Sequence, residues 1–271
     1  MEKEAFYHSN QSFLHIAQWQ NIHSKLQVGF TTRNGGVSSS PYESFNFGFH
    51  VDDWRPYVIK NRQRLAENLS FPLENWVSGE QVHDTNIKII GEQDKGKGAT
   101  TNQTSIKGID GLITNQTGIL CTAFYADCAP LYFFDPVTEY IGIAHAGWRG
   151  TTNKIAQKMV DTLRSLGVNA SNLLAAIGPC ISQEYYEIDS RVMHKIDPQY
   201  RQNAIKSKGN NRYLLNLKQL NVDILLQSGV LRNNIDVTQY CTFRDNSLFY
   251  SHRRENGKTG RMLGYIGYLK E

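Results

Sequence analysis

The segment 140–167 narrows most what this chain can fold into. Tyr140–Ala146 (YIGIAHA) is apolar apart from a histidine near its end, the pattern of a buried strand. Residues 147–150 (GWRG) then make a turn. Thr152–Leu166 follows with Ile155, Met159, Leu163 and Leu166 at spacings of four and three, the stripe of an amphipathic helix, and Gly167 ends it. A buried strand feeding a helix through a glycine turn asks for a sheet covered by helices.

The rest of the chain keeps to that plan. Val28–Thr32 reads as a short strand stopped by Asn34-Gly35-Gly36. Residues 56–69 put Val58, Arg62, Leu65 and Leu69 on one helical face, with Pro56 in the first turn. Trp76–His83 and Thr85–Ile90 are expected as two strands around a tight connection. Ile109–Thr114 and residues 118–135 are apolar and β-rich, Leu173–Ile177 is a further strand, and Leu217–Leu226 is a helix ending before Gly229. Residues 247–269 are expected to close the chain with two strand-like pieces around ENGKTG. The polar, glycine-rich stretch 91–108 is expected as a surface loop rather than a linker. Residues 1–26 carry few pattern signals and are expected at the periphery. No repeat is present. The expectation is one compact mixed-sheet α/β domain over 1–271, without an established all-parallel order.

Composition excludes several classes. Of 271 residues, 40% are apolar, and 22 glycines bring the total near the usual globular level. No stretch approaches the ~18 charge-free apolar residues of a spanning helix, and the first residues lack a basic region followed by an apolar run. A cytoplasmic protein with no membrane partner is expected. Four cysteines are too few and too scattered for a disulfide scaffold, so free thiols or metal ligands are expected. The net charge of +4 suits an anionic small molecule at least as well as nucleic acid, for which no motif is present.

Three places put a metal-capable or nucleophilic side chain at the end of an apolar strand. These are Glu80-Gln81-Val82-His83, Tyr125-Ala126-Asp127-Cys128-Ala129-Pro130, and His145 leading into Gly147-Trp148-Arg149-Gly150. In the third, a helix N-terminus and Arg149 offer donors to an anion. A lone strand histidine is more often a buried residue satisfied by a carbonyl. Asp127 is a charge in an apolar run and needs a partner, as a carboxylate beside a thiolate or a proton-handling group. Cys121 reads as a small buried hydrophobe, and Cys180 as a turn residue. His83, Cys128 and His145 form a two-histidine, one-thiolate set. That set fits a catalytic zinc with a fourth position for substrate, a Cys–His nucleophile pair without metal, or a copper site. The spacing alone leaves these alternatives standing. His50 and His252 are expected to line a pocket. Ser251–Arg254 with Thr259–Arg261 is expected as a basic, hairpin-like piece forming an anion-binding wall.

The motifs TTRNGGVS (31–38), SFNFGFHVDD (44–53), NRQRLA (61–66), EQVHDTNI (80–87), DGLIT (110–114), ADCAPLYFFDP (126–136), IAHAGWRGT (143–151), AAIGPCI (175–181), YYEI (185–188) and FYSHRRENGKTGRM (249–262) run in order along the chain. Together they resemble the YfiH/YlmD-like family, long called laccase-domain or multicopper polyphenol oxidases and now regarded as purine nucleoside phosphorylases with adenosine deaminase activity. The resemblance implies a compact α/β fold of the YfiH-like type, akin to a cysteine hydrolase and not a cupredoxin barrel. It implies a single zinc held by His83, Cys128 and His145. Asp84 and the HVDD segment depart from the family's usual glycines without removing a ligand.

The resemblance implies phosphorolysis of adenosine, inosine, guanosine or methylthioadenosine to base plus sugar 1-phosphate, and hydrolytic deamination of adenosine. Asn46 and Gln81 are then expected to contact substrate, Arg149, Arg253 and Arg254 to contact phosphate, and Asp127 to assist the centre. The alternatives are a copper-dependent phenol oxidase, a metal-free cysteine hydrolase, and a nucleotide-binding module without turnover. Laccases use histidines in His-x-His pairs, and none occurs among the eight here.

Overall fold

The computed structural model describes residues 4–270. The chain opens with strands β1 (Tyr7–His8) and β2 (Phe13–His15), helix α1 (Ala17–Ile22) and strand β3 (Leu26–Thr31). Helix α2 (Arg55–Leu69) follows, then β4 (Trp76–Ser78), β5 (Ile87–Ile89), β6 (Gly111–Thr114), β7 (Ile119–Tyr125), β8 (Ala129–Phe134) and β9 (Ile141–Ala146). Helices α3 (Trp148–Thr152) and α4 (Ile155–Ser165) lead to β10 (Leu174–Ile177). Next come β11 (Glu187–Asp189), α5 (Ser190–Lys195), α6 (Pro198–Ala204), β12 (Ile205–Gly209), β13 (Arg212–Leu215), α7 (Leu217–Gln227), β14 (Ile235–Val237) and β15 (Met262–Tyr268).

Two open six-stranded sheets result, ordered β1-β2-β3-β15-β7-β4 and β14-β10-β8-β9-β6-β5, with a small third sheet β11-β13-β12. Neither is a closed barrel. Side-chain alternation sorts the layers. Ile119, Cys121, Ala123 and Tyr125 of β7 meet Tyr132 and Phe134 of β8 and Ile141 and Ile143 of β9 between the two sheets. The opposite face of β7, Leu120 and Phe124, packs with Leu65, Ala66 and Leu69 of α2. Leu131 and Phe133 of β8 turn the other way, onto Met159, Leu163, Leu220 and Ile224 of α4 and α7. The molecule is therefore a stack of helix, sheet, sheet and helix.

Several expectations are corrected. The helix expected over 152–166 starts at Ile155, because Lys154 takes a left-handed turn (φ 62°) that separates it from α3. The strand expected over 76–83 stops at Ser78, and the two strands around that connection enter different sheets, β4 beside β7 and β5 beside β6. The last stretch holds one strand, not two. The first residues lie at a sheet edge but bury Phe6, Leu14, Ile16 and Trp19. Residues 91–108 are a loop that packs tightly. Asp94, Ala99 and Ser105 are buried, and the carbonyls of Gly98 and Ala99 accept from the wholly buried Arg62 at 2.6 and 2.9 Å. All four cysteines are free thiols.

Candidate metal centre

Two connections carry the chain from the first sheet to the second, and each delivers a donor. The β4–β5 connection holds His83, and the three residues between β7 and β8 hold Cys128. His145 sits near the end of β9, on the same face as Ile141 and Ile143. One donor atom from each of His83, Cys128 and His145 lies within 4.8 Å of the other two. The imidazole rings of His83 and His145 stand edge-on, with centroids 4.7 Å apart. Gly147 makes this approach possible, since a Cβ there would lie 2.9 Å from Cys128 Sγ and 3.2 Å from His83 Cδ2.

Asp110 organises the centre and escaped the sequence reading. Gly111 pairs with Ala144 across β6 and β9, so the residue before it falls opposite His145. The buried Asp110 carboxylate accepts from His145 Nδ1 at 2.9 Å. It also accepts from the backbone N–H groups of Val82, His83 and Asp84 at 3.0, 3.1 and 3.0 Å. One side chain thus fixes the loop that carries one donor and the ring that carries another. Burial would raise this carboxyl, but the donors around it, His145 first, hold it below its ordinary range. With Nδ1 engaged, His145 is left with Nε2 for a ligand. His83 and Gln81 have positive φ (61° and 54°), which side chains adopt only when held. Gln81 is held by its own amide, which donates to Phe124 O at 2.9 Å and accepts from Phe124 N at 2.8 Å.

The donor set fits a metal. Burial would raise the Cys128 thiol, but His145 and His83 outweigh it and bring the group down to about 6. Burial would likewise lower His145, and Cys128 with Asp110 reverses this and raises it. Each group therefore favours the charged form of the other, which draws the proton toward His145. An ion bonding at about 2.0–2.3 Å would displace that proton and meet three protein donors. Among the described residues, no other cluster of three or more histidine, cysteine or acidic side chains converges in this way.

The donors line a cavity of about 590 Å³, also lined by His50, Glu80, Asn102, Phe124, Trp148, Arg149, Tyr186, His252, Arg253 and Arg261. Residues 27–269 match the family described as "Multi-copper polyphenol oxidoreductase laccase". The chain belongs to that family. Among its relatives, the purine nucleoside phosphorylase YlmD of Bacillus subtilis is 42% identical over 258 residues, covering 94% of this chain and 92% of its own. The purine nucleoside phosphorylase SSP1584 of Staphylococcus saprophyticus is 35% identical over 93% of this chain and 96% of its own. The crystal structure of YlmD from Geobacillus stearothermophilus superposes with a TM-score of 0.95 at 39% identity, over 99% of this chain and all of that one. Protein NMB0706 of Neisseria meningitidis gives a TM-score of 0.78 at 28% identity, over 91% and 96%. The YfiH/YlmD-like resemblance and the mixed α/β fold are thereby established.

The remaining residues expected at the site divide between cavity and scaffold. Gln81, Asp127, Arg149 and Arg253 line the cavity, as do His50 and His252. The Asp127 carboxylate accepts from Thr242 Oγ1 at 2.6 Å, Ser251 Oγ at 3.0 Å and Arg253 N at 2.7 Å, which ties the Cys128 turn to the basic segment. Arg253 donates to the carbonyl of Glu187 and lies over the Tyr186 ring. Arg149 lies over the Trp148 ring. Asn46 is not in the cavity. It is wholly buried, and its amide is engaged with Asp53, Gly48 and the backbone N–H of Arg261. Arg254 does not line the cavity either. Its guanidinium donates to the carbonyls of Thr242, Phe243 and Phe249 and pairs with Glu255 at 2.7 Å. The expected hairpin is thus a loop wound around its own charges.

Proposed function

We propose that the chain is a zinc-dependent purine nucleoside enzyme. It cleaves adenosine, inosine, guanosine or methylthioadenosine by phosphorolysis to free base and sugar 1-phosphate, and it deaminates adenosine hydrolytically. The observation that carries this reading is the centre itself: two histidines and one cysteine converging on the wall of a cavity of about 590 Å³. That size suits a small-molecule ligand. The names of the relatives supply the substrate class.

Three protein donors with a fourth position for a small molecule are the pattern of a catalytic zinc. His83 Nε2 or Nδ1, Cys128 Sγ and His145 Nε2 would hold the ion. When bound, it supplies a Lewis acid beside the reacting atoms. The protein supplies the rest. Asp110 orients His145 and the His83 loop. Phe124, Trp148 and Tyr186 offer apolar faces to a purine, and Arg149 and Arg253 offer cationic ones to phosphate.

The copper oxidase reading needs several coppers. One three-donor group among the described residues, and no His-x-His pair in the sequence, favour zinc. The test incubates the purified holoenzyme with each nucleoside, with and without phosphate, beside elemental analysis. Phosphate-dependent release of base, or phosphate-independent inosine from adenosine, with about one zinc per chain supports the proposal. Phenol oxidation with bound copper and no nucleoside turnover overturns it.

A further inference from the structure

Arg261 belongs to the segment expected as an anion-binding wall. It lines the cavity beside the three donors. The residue is held through its backbone, its guanidinium and its stem. The backbone N–H donates to Asn46 Oδ1 at 2.8 Å, and Nη1 donates to the carbonyls of Thr259 and Gly260 at 2.7 and 3.0 Å. The stem lies against Gly48, where a Cβ would come within 2.8 Å of Arg261 Cγ and 3.2 Å of His50 Cε1. The absence of a side chain at residue 48 thus lets Arg261 and His50 approach one another. Nε and Nη2 of Arg261 have no hydrogen-bond partner among the described residues, and no carboxylate pairs with the guanidinium.

Acidic groups act on it only at a distance, Cys128, Asp127 and Glu255 among them, and none forms an ion pair with it. The His50 and His252 side chains line the same cavity and make no hydrogen bond among the described residues. Arg149 and Arg253 add further positive charge without a carboxylate partner. The two acids of the lining are already engaged, Glu80 by Lys107 at 3.3 Å and Asp127 by two hydroxyls and an amide. A divalent ion on one thiolate and two neutral imidazoles has a net charge of +1, so filling the centre strengthens the positive field. A partly enclosed guanidinium with two unused donors and no carboxylate in direct contact offers a charged, forked seat to an anion.

We propose that Arg261, flanked by His50 and His252, is the seat of an anionic co-substrate beside the metal centre. On the reading above, which this inference rests on, that anion is orthophosphate. Held there, hydrogen phosphate attacks the anomeric carbon of the nucleoside. A phosphate oxygen forms the new C–O bond, and the glycosidic C–N bond breaks with its electron pair going to the base. The proton of hydrogen phosphate passes to the departing nitrogen. The products are sugar 1-phosphate and neutral base. Arg261 acts by fixing the phosphate dianion and dispersing its charge.

The test compares the zinc-loaded wild type with Arg261→Gln, Arg261→Lys and His252→Asn. Initial rates are measured against phosphate at saturating nucleoside, and against nucleoside at saturating phosphate. Inorganic phosphate alone is also titrated into each protein by calorimetry. The expected result is a phosphate KM raised at least tenfold in Arg261→Gln, with nucleoside KM moved less than threefold. Arg261→Lys recovers part of the loss, and His252→Asn, an exposed position, raises phosphate KM several-fold. Equal effects on both KM values, or unchanged phosphate binding in all variants, overturn the assignment. If the wild type performs no phosphorolysis, the functional reading fails, while the phosphate titration still decides the anion site. If Arg261→Gln does not fold, the lysine and histidine variants decide it.

Discussion

Asp110 gives the sharpest prediction for a single residue. Its two oxygens accept four N–H donors, and asparagine has one oxygen to offer them. Asp110→Asn therefore loosens both the His83 loop and the His145 ring. Metal affinity is expected to fall about 10–100-fold, read by competition with a chromogenic chelator. An unchanged affinity would show that the carboxylate is not what orients these donors. Gly147→Ala acts by a different route. Its φ of −71° suits alanine, so the fold survives, but the added methyl drives Cys128 Sγ and His83 apart. Metal affinity is expected to drop at least about tenfold, as for other disturbed ligand settings, with the circular dichroism spectrum retained. Full metal binding would mean that the donors have more freedom than their close approach implies. At this scale the sequence exposes what sits at strand ends. Cys128 and His145 each stand beside alanine next to an apolar strand, whereas His83 sits between Val82 and Asp84 in a connection five residues past the end of β4. Asp110 does not stand out, because its role follows from the pairing of β6 with β9. Arg261 and Arg254 look alike in the sequence, and only the carbonyls around each separate a cavity arginine from a scaffold one.

The loop 91–108 shows how an irregular segment becomes structural. Burial would raise the Asp94 carboxyl, but Lys97 at 2.6 Å and the N–H of Gly91 at 3.2 Å hold it below its ordinary range. A carboxyl lowered on folding contributes stability above its unfolded value of about 3.9, and loses it as the pH falls through the folded value. Asp94→Asn is expected to cost about 1 kcal/mol at pH 7. That difference should shrink in acid below the ordinary carboxylate range, as chemical denaturation at both pH values would reveal. A difference that persists in acid would mean the charge is not its source. Elements with a strong apolar stripe were legible: α2, α4, α7, β3, β9 and β10 fall where periodicity puts them. The small sheet β11-β13-β12 was not, because much of it is polar and exposed, with segments such as Lys206-Ser207-Lys208. Residues 248–261 look like strand in composition, but Asp127, Glu255 and the arginines satisfy their backbone groups from the side and leave no ladder to form.

For the whole molecule, the stack of layers explains why the centre depends on the fold more than the fold on the centre. Three separate apolar clusters hold helix to sheet, sheet to sheet and sheet to helix without any contribution from an ion. Removing metal with a chelator is therefore expected to abolish activity and leave far-ultraviolet circular dichroism unchanged, with zinc restoring turnover. Unfolding on chelation would contradict this and make the centre structural. The most direct measurement of the central claim is a paired metal count and phosphorolysis assay on wild type and Cys128→Ser. The account predicts about one zinc per chain and phosphate-dependent base release in the wild type, and loss of both in the variant. Base release that persists in zinc-free Cys128→Ser would contradict it.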